Sequence, residues 1–132
     1  MAQVIANALI TPDGTILQSY HRHDYKTHVD KVSGEEYMID GGTDYCRSNV
    51  NKVSPQYISV TMDDVHETRR DWFHWGTRGK DGKQPLTWKP LKDLETDHIK
   101  AILTTQFHIP DYLIQLFEDE LYFRQEKLGE NL

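Results

Sequence analysis

The stretch that most constrains the fold is Thr15–Arg47, TILQSYHRHDYKTHVDKVSGEEYMIDGGTDYCR. Isoleucine, tyrosine, threonine and valine recur through it, with apolar and polar residues roughly alternating, which is the period of a half-buried strand. Lys31-Val32-Ser33-Gly34 supplies a polar reversal between two runs of strand length, so the spacing predicts a long antiparallel β-hairpin. Asp40-Gly41-Gly42 interrupts the second arm. Paired glycines inside a strand mark a bulge, or a place where backbone or ligand comes close.

The flanking segments follow from their own local chemistry. Residues 3–10 read as a strand and Thr11-Pro12-Asp13-Gly14 as a type I turn, with proline at the second position and glycine closing it. After a polar loop ending at Pro55, Tyr57–Val60 is a short strand. Thr61-Met62-Asp63-Asp64 has a capping-box pattern, which predicts a helix over 61–76 whose inner face is Met62, Val65, Arg69, Trp72 and Phe73, with Gly76 as its left-handed stop. Residues 77–92 read as a basic glycine-rich loop and an edge strand carrying Pro90, and 93–128 as two helices, the second opened by Pro110. Strands first and helices last indicate an α+β fold: a mainly antiparallel sheet from amino-terminal hairpins, with a central helix and two carboxy-terminal helices packed on one side. A chain of 132 residues fits one domain spanning 1–132.

Composition narrows the function classes. A single cysteine, Cys46, excludes an internal disulfide and any multi-cysteine zinc site. No segment approaches the ~20 apolar residues of a membrane span, and MAQVIANALI lacks the basic region of a signal peptide, so a soluble cytoplasmic protein is expected. The net charge of −6 is uneven: residues 63–92 hold five acids and seven bases, residues 93–132 nine acids and three bases. Duplex nucleic acid, which needs a broad positive face, is thereby disfavoured, while one small anion at a local basic site is not.

Residue type and spacing limit the candidate sites. In the cluster His21-Arg22-His23-Asp24-Tyr25-Lys26-Thr27-His28, positions 21 and 23 share a strand face and 28 lies on the other, so no histidine triad is expected to converge. His66-Glu67 lacks the second histidine of a zincin helix, because Arg70 stands there. No metal and no cofactor are therefore expected. A small hydrolase built on His23, Asp24 and Asp40 would lack a nucleophile, and a non-enzyme is the reading. The stretch from Arg69 to Lys83 joins cations, aromatic rings and glycine-opened backbone, the contacts that hold a base and its phosphates. On that reading Arg69, Arg70, Arg78, Lys80 and Lys83 meet the anion, and His74 and Trp75 meet the base. Arg124, the only arginine of the acidic last third, is a further cation available from a neighbouring subunit. The alternative for the same residues is an aromatic core helix followed by a solvated basic loop. Three tryptophans, seven tyrosines and four phenylalanines in so short a chain point to a symmetric homo-oligomer, a dimer first.

Three segments, Val4-Ile5-Ala6-Asn7-Ala8 to Gly14, Gln18–Tyr25 and Asp40–Arg47, resemble a group of small bacteriophage proteins of unassigned function. Their shared words are His-Asp-aromatic and Asp-Gly-Gly-x-Asp-Tyr-x-Arg. Relatives in that group carry paired cysteines suggestive of a zinc knuckle at places held here by Ile10 and Asp13, and by His28 and Asp30. The knuckle is therefore not carried over. The order of a β-region followed by helices is similar to the first family of Thoeris anti-defence proteins, which sequester cyclic ADP-ribose signals between subunits. These resemblances imply a phage counter-defence protein in the host cytoplasm that binds a cyclic nucleotide-derived signal without cleaving it. The alternative they leave is an inhibitor of a host defence or nucleic-acid-processing protein, acting through the acidic face of Glu118, Asp119, Glu120, Glu126 and Glu130.

Overall fold

A computed structural model describes residues 2–79, 81–106 and 108–132. They form an α+β protein whose sheets are antiparallel. The chain divides into two compact units, one from Val4 to Thr61 and the other from Met62 to Leu132 with the residues ahead of Val4.

The amino-terminal unit contains β1 (Val4–Ile10), β2 (Ile16–Ser19), β3 (Lys26–Val29), β4 (Glu36–Asp40), β5 (Arg47–Ser48) and β6 (Gln56–Thr61). They form two three-stranded sheets, ordered β2-β1-β6 and β3-β4-β5. The Thr11–Gly14 turn forms as its residues dictate, with Gly14 at φ 89° donating to the Thr11 carbonyl at 2.8 Å, and it sets Ile10 opposite Ile16. The reversal at Lys31–Gly34 also forms, pairing Val29 with Glu36. The long hairpin expected from Thr15 to Arg47 is divided, however. Residues 20–25 turn, with His23 in the left-handed region at φ 66°, so Ile16–Ser19 pairs with β1 and only Lys26–Val29 pairs with β4. Leu9, Leu17, Tyr37 and Ile39 make the core of this unit, and the buried Tyr37 hydroxyl donates to the Val53 carbonyl.

The carboxy-terminal unit runs α1 (His66–Trp72), β7 (His74–Thr77), β8 (Thr87–Pro90), a single 3-10 turn at Leu91–Asp93, α2 (Thr96–Thr105) and α3 (Asp111–Glu126). The helix expected over 61–76 is shorter at both ends. It starts at His66 after Val65, without a side-chain cap, and Phe73 is already extended at φ −72°, ψ 129°. Gly76 is then a strand residue, not a helix stop. A Cβ there would stand 3.1 Å from the Trp88 ring, so glycine lets β7 and β8 approach with Trp88 folded over the backbone. Pro110 immediately precedes α3, and the helix ends at Lys127, close to the expected positions. Phe73, Leu91, Leu94, Ile99, Ile102, Leu116 and Phe117 are the buried apolar residues, with Phe117 met edge-on by Phe73 at 6.0 Å and by Trp75 at 5.3 Å.

Candidate functional site

The structure commits three of the six expected anion-binding cations, Arg69, Arg70 and Arg124, to ion pairs within the carboxy-terminal unit. Glu120 is fully buried on α3. Its Oε1 accepts from His66 Nε2 at 2.8 Å and Arg70 Nε at 2.9 Å, and its Oε2 from Arg70 Nη2 at 2.9 Å and Arg124 Nε at 2.6 Å. Burial alone would raise this carboxyl, but the bonds from His66, Arg70 and Arg124 outweigh it and hold the pKa at about 2. Arg69 donates to Asp119 at 3.1 Å and to His66 Nδ1 at 3.0 Å, which leaves the His66 proton on Nε2, facing Glu120. Arg124 also reaches the Thr96 hydroxyl and the Leu91 carbonyl, and Arg70 lies over the Phe123 ring at 4.6 Å. Arg69, Arg70 and Arg124 thus tie α1, α2 and α3 together. The same bonds withdraw Glu120 from the acidic face read in the sequence and give Asp119 an internal partner.

The aromatic candidates are also structural in part. Trp75 is half-buried against Phe117, and His74 Nδ1 bonds the Trp72 carbonyl at 2.8 Å. Arg78 and Lys83 remain exposed on the loop between β7 and β8. Lys80, the remaining expected contact, lies outside the described residues.

Beside that loop is a cleft of about 450 Å³, a volume in the range of small-molecule sites. One wall comes from the β7–β8 hairpin: Thr77, Gly79, Gln84, Thr87 and Lys89. Gly79 is at φ 83°, and the Gln84 N–H donates to the Arg78 carbonyl at 2.9 Å, which folds the loop back over its own strands. The opposite wall comes from the 3-10 turn and the start of α2: Asp93, Leu94, Glu95, Asp97, His98 and Ala101. One wall therefore offers hydroxyls, an amide and an ammonium, the other carboxylates and an imidazole. Of these lining residues only Thr77 and Gly79 lie in the stretch marked by the sequence, because hairpin and helix start meet only in three dimensions. The basic loop next to them was the nearest legible signal.

A second cluster lies in the amino-terminal unit. Asp13, His28 and Asp30 offer ligand atoms within 4.8 Å of one another, the spacing of a metal site. The two carboxylates, however, already accept hydrogen bonds on both oxygens. Asp13 accepts from the Thr11 hydroxyl at 2.7 Å, Thr15 N–H at 3.0 Å, His28 Nε2 at 2.8 Å and Lys31 N–H at 3.0 Å. Asp30 accepts from the N–H groups of Asp13 at 2.7 Å, Val32 at 3.1 Å and Ser33 at 2.6 Å. The His28 bond first, then those of Lys31, Thr11 and Thr15, hold the Asp13 carboxyl far below the ordinary carboxylate range. A cation would have to displace these donors one for one, so the donor set fits a hydrogen-bonded staple between two turns better than an ion.

The signature residues also meet one another. Tyr45 hydroxyl and His23 Nδ1 are 2.7 Å apart, Gly42 N–H donates to Ser19 Oγ at 2.8 Å, and Ser19 Oγ donates to the Asp24 carbonyl at 2.7 Å. Asp24 accepts from Tyr20 N–H at 2.7 Å, and Asp40 from Arg47 Nε at 3.0 Å. His23, Asp24 and Asp40 each have a local partner, so the two words stitch two loops together. Comparison with protein-family models, curated proteins and solved structures finds no match to this chain.

Proposed function

We propose that this chain is a phage accessory protein that binds and sequesters a cyclic nucleotide-derived immune signal, uncleaved, in the cleft of the carboxy-terminal unit. The observation that carries the reading is the two-sided lining of that cleft. Carboxylates accept from ribose hydroxyls and exocyclic amines, as acidic residues do in dinucleotide sites, but they repel phosphate. The anionic part therefore belongs at the Lys89 end, beside the loop that carries Arg78 and Lys83, and the sugar and base belong against Asp93, Glu95 and Asp97. Arg69, Arg70 and Arg124 serve the fold in this arrangement.

Calorimetry against cyclic nucleotides and cyclic ADP-ribose isomers tests the proposal, with chromatography of the released ligand to check that it is unchanged. A charge-assisted contact is worth ~1.5–3 kcal/mol, so Lys89→Ala should weaken binding about tenfold or more at unchanged melting temperature. If the wild-type protein binds no member of the panel, the lead passes to the inhibitor reading, with Glu118, Glu126 and Glu130 as the exposed members of its acidic face.

A further inference from the structure

The amino-terminal unit has one strand edge without the devices that protect the others. An open edge presents unpaired N–H and C=O groups, and proteins blunt such edges with shortness, charge, proline or a cover. β2 lies against β3 and β4, and Lys26 Nζ donates to the Gln18 carbonyl at 2.7 Å. β3 has four residues, including Lys26 and His28, and β5 has two. In the other unit β8 carries Lys89 and Pro90. β6 differs in every respect. It is six residues long, QYISVT, without charge or proline, and it pairs with β1 on one side and with no strand among the described residues on the other. Gln56, Tyr57 and Ser59 are exposed, Tyr57 to 60%.

We propose that the outer edge of β6 is a pairing surface for the β6 of a second copy of this chain. The strand is complementary to itself under a two-fold axis. Strand parity requires that facing residues lie on the same side of the sheet. A two-fold through Ser59 satisfies this: Ile58 faces Val60 of the second copy on the inner side, and Tyr57 faces Thr61 on the outer side. These are aromatic and β-branched pairs of the kind that stabilise sheets. Because β6 holds no charged residue, the symmetry brings no like charges together, which is the usual obstacle to a strand pairing with itself. The result is a continuous six-stranded sheet across an isologous interface.

Light scattering over about a hundredfold range of protein concentration should show the mass rising to twice that of the chain, a dilution series resolving the equilibrium. Ser59→Lys places two ammonium groups opposite each other on an exposed position and should raise the dimer dissociation constant at least about tenfold, with the circular dichroism of the folded chain unchanged. In a Cys46→Ser background, Ser59→Cys should form a covalent dimer under mild oxidation, and Ser54→Cys, outside the paired segment, should not. A wild-type protein that stays monomeric throughout, a dimer indifferent to Ser59→Lys, or equal cross-linking at 54 and 59 would each overturn the proposal.

Discussion

The two units solve the same problem, keeping carboxylates out of water, in opposite ways. In the amino-terminal unit Asp13 and Asp30 collect mainly backbone N–H groups from the turns they sit in, with the Thr11 hydroxyl and the His28 imidazole as the side-chain partners. In the carboxy-terminal unit Glu120 collects two guanidinium groups and an imidazole, His66 and Arg70 lying 54 and 50 positions away in sequence. Backbone donors are present whatever the side chains are, and they stay neutral when the carboxylate is lost. Guanidinium groups do not. The first arrangement is therefore distributed, and the second concentrates the stability of three helices on one side chain.

Glu120→Ala tests that concentration most severely. It leaves buried Arg124 and half-buried Arg70 charged without their counter-ion, a class of change that costs about 3–5 kcal/mol, and chemical denaturation should show it. A loss below about 1 kcal/mol would mean that water enters and solvates the arginines, and the contrast between the units would collapse. Acid probes the same hub with no mutation. A carboxyl held at about 2 in the folded chain, against an ordinary value of 4.5, stabilises the fold fully above the ordinary value and loses that contribution as pH falls from 4.5 towards 2. The loss should reach about 3 kcal/mol, and Glu120→Gln should remove that part of the pH dependence between those limits.

Glycine substitutions grade the amino-terminal unit next. At Gly42, φ 57°, a Cβ would stand 2.7 Å from the His21 backbone, so Gly42→Ala should cost well over 1 kcal/mol, strain and clash together. Gly34, φ 74°, has nothing within 4 Å, and Gly34→Ala should cost only the conformational term of about 1 kcal/mol. Equal losses at the two positions by thermal denaturation would mean that the loop around Gly42 relaxes and is not packed as described. The smallest effect belongs to His28→Ala. Asp13 keeps its other three donors, so the melting temperature should move less than for any of the changes above, and added zinc should not move it in the parent protein. A melting temperature that rises with zinc would reinstate a metal at the staple.

The same contrast explains what the sequence made legible. Turns announce themselves locally: Pro12 and Gly14, the reversal at 31–34 and Pro110 all fall where their conformational preferences place them. Even the staple was half visible: Asp13 was part of a readable turn, and the resemblance grouped it with His28 and Asp30, although as a knuckle not carried over and not as hydrogen-bond partners. Residues 73–76, expected as helix, are extended because aromatic residues suit a helix face and a strand equally. The choice was made by β8, which pairs His74 with Pro90 across a loop. The Arg69–Lys83 stretch was chosen for its cations, yet cation density says nothing about which carboxylates fold back onto them. Glu120 sat in an apparent surface run, Glu118-Asp119-Glu120, and only the helix phase separates its buried position from exposed Glu118.

The division of the chain into two units has an optical consequence. Trp72, Trp75 and Trp88 all belong to the carboxy-terminal unit, whereas the amino-terminal unit has tyrosines alone, at positions 20, 25, 37, 45 and 57. Indole emission, excited selectively, is thus a private channel for one half of the molecule, with no label attached. Comparing it with backbone ellipticity, to which both halves contribute, asks directly whether they melt as one body. Coincident traces would make the chain a single cooperative fold, and separated traces would make it two.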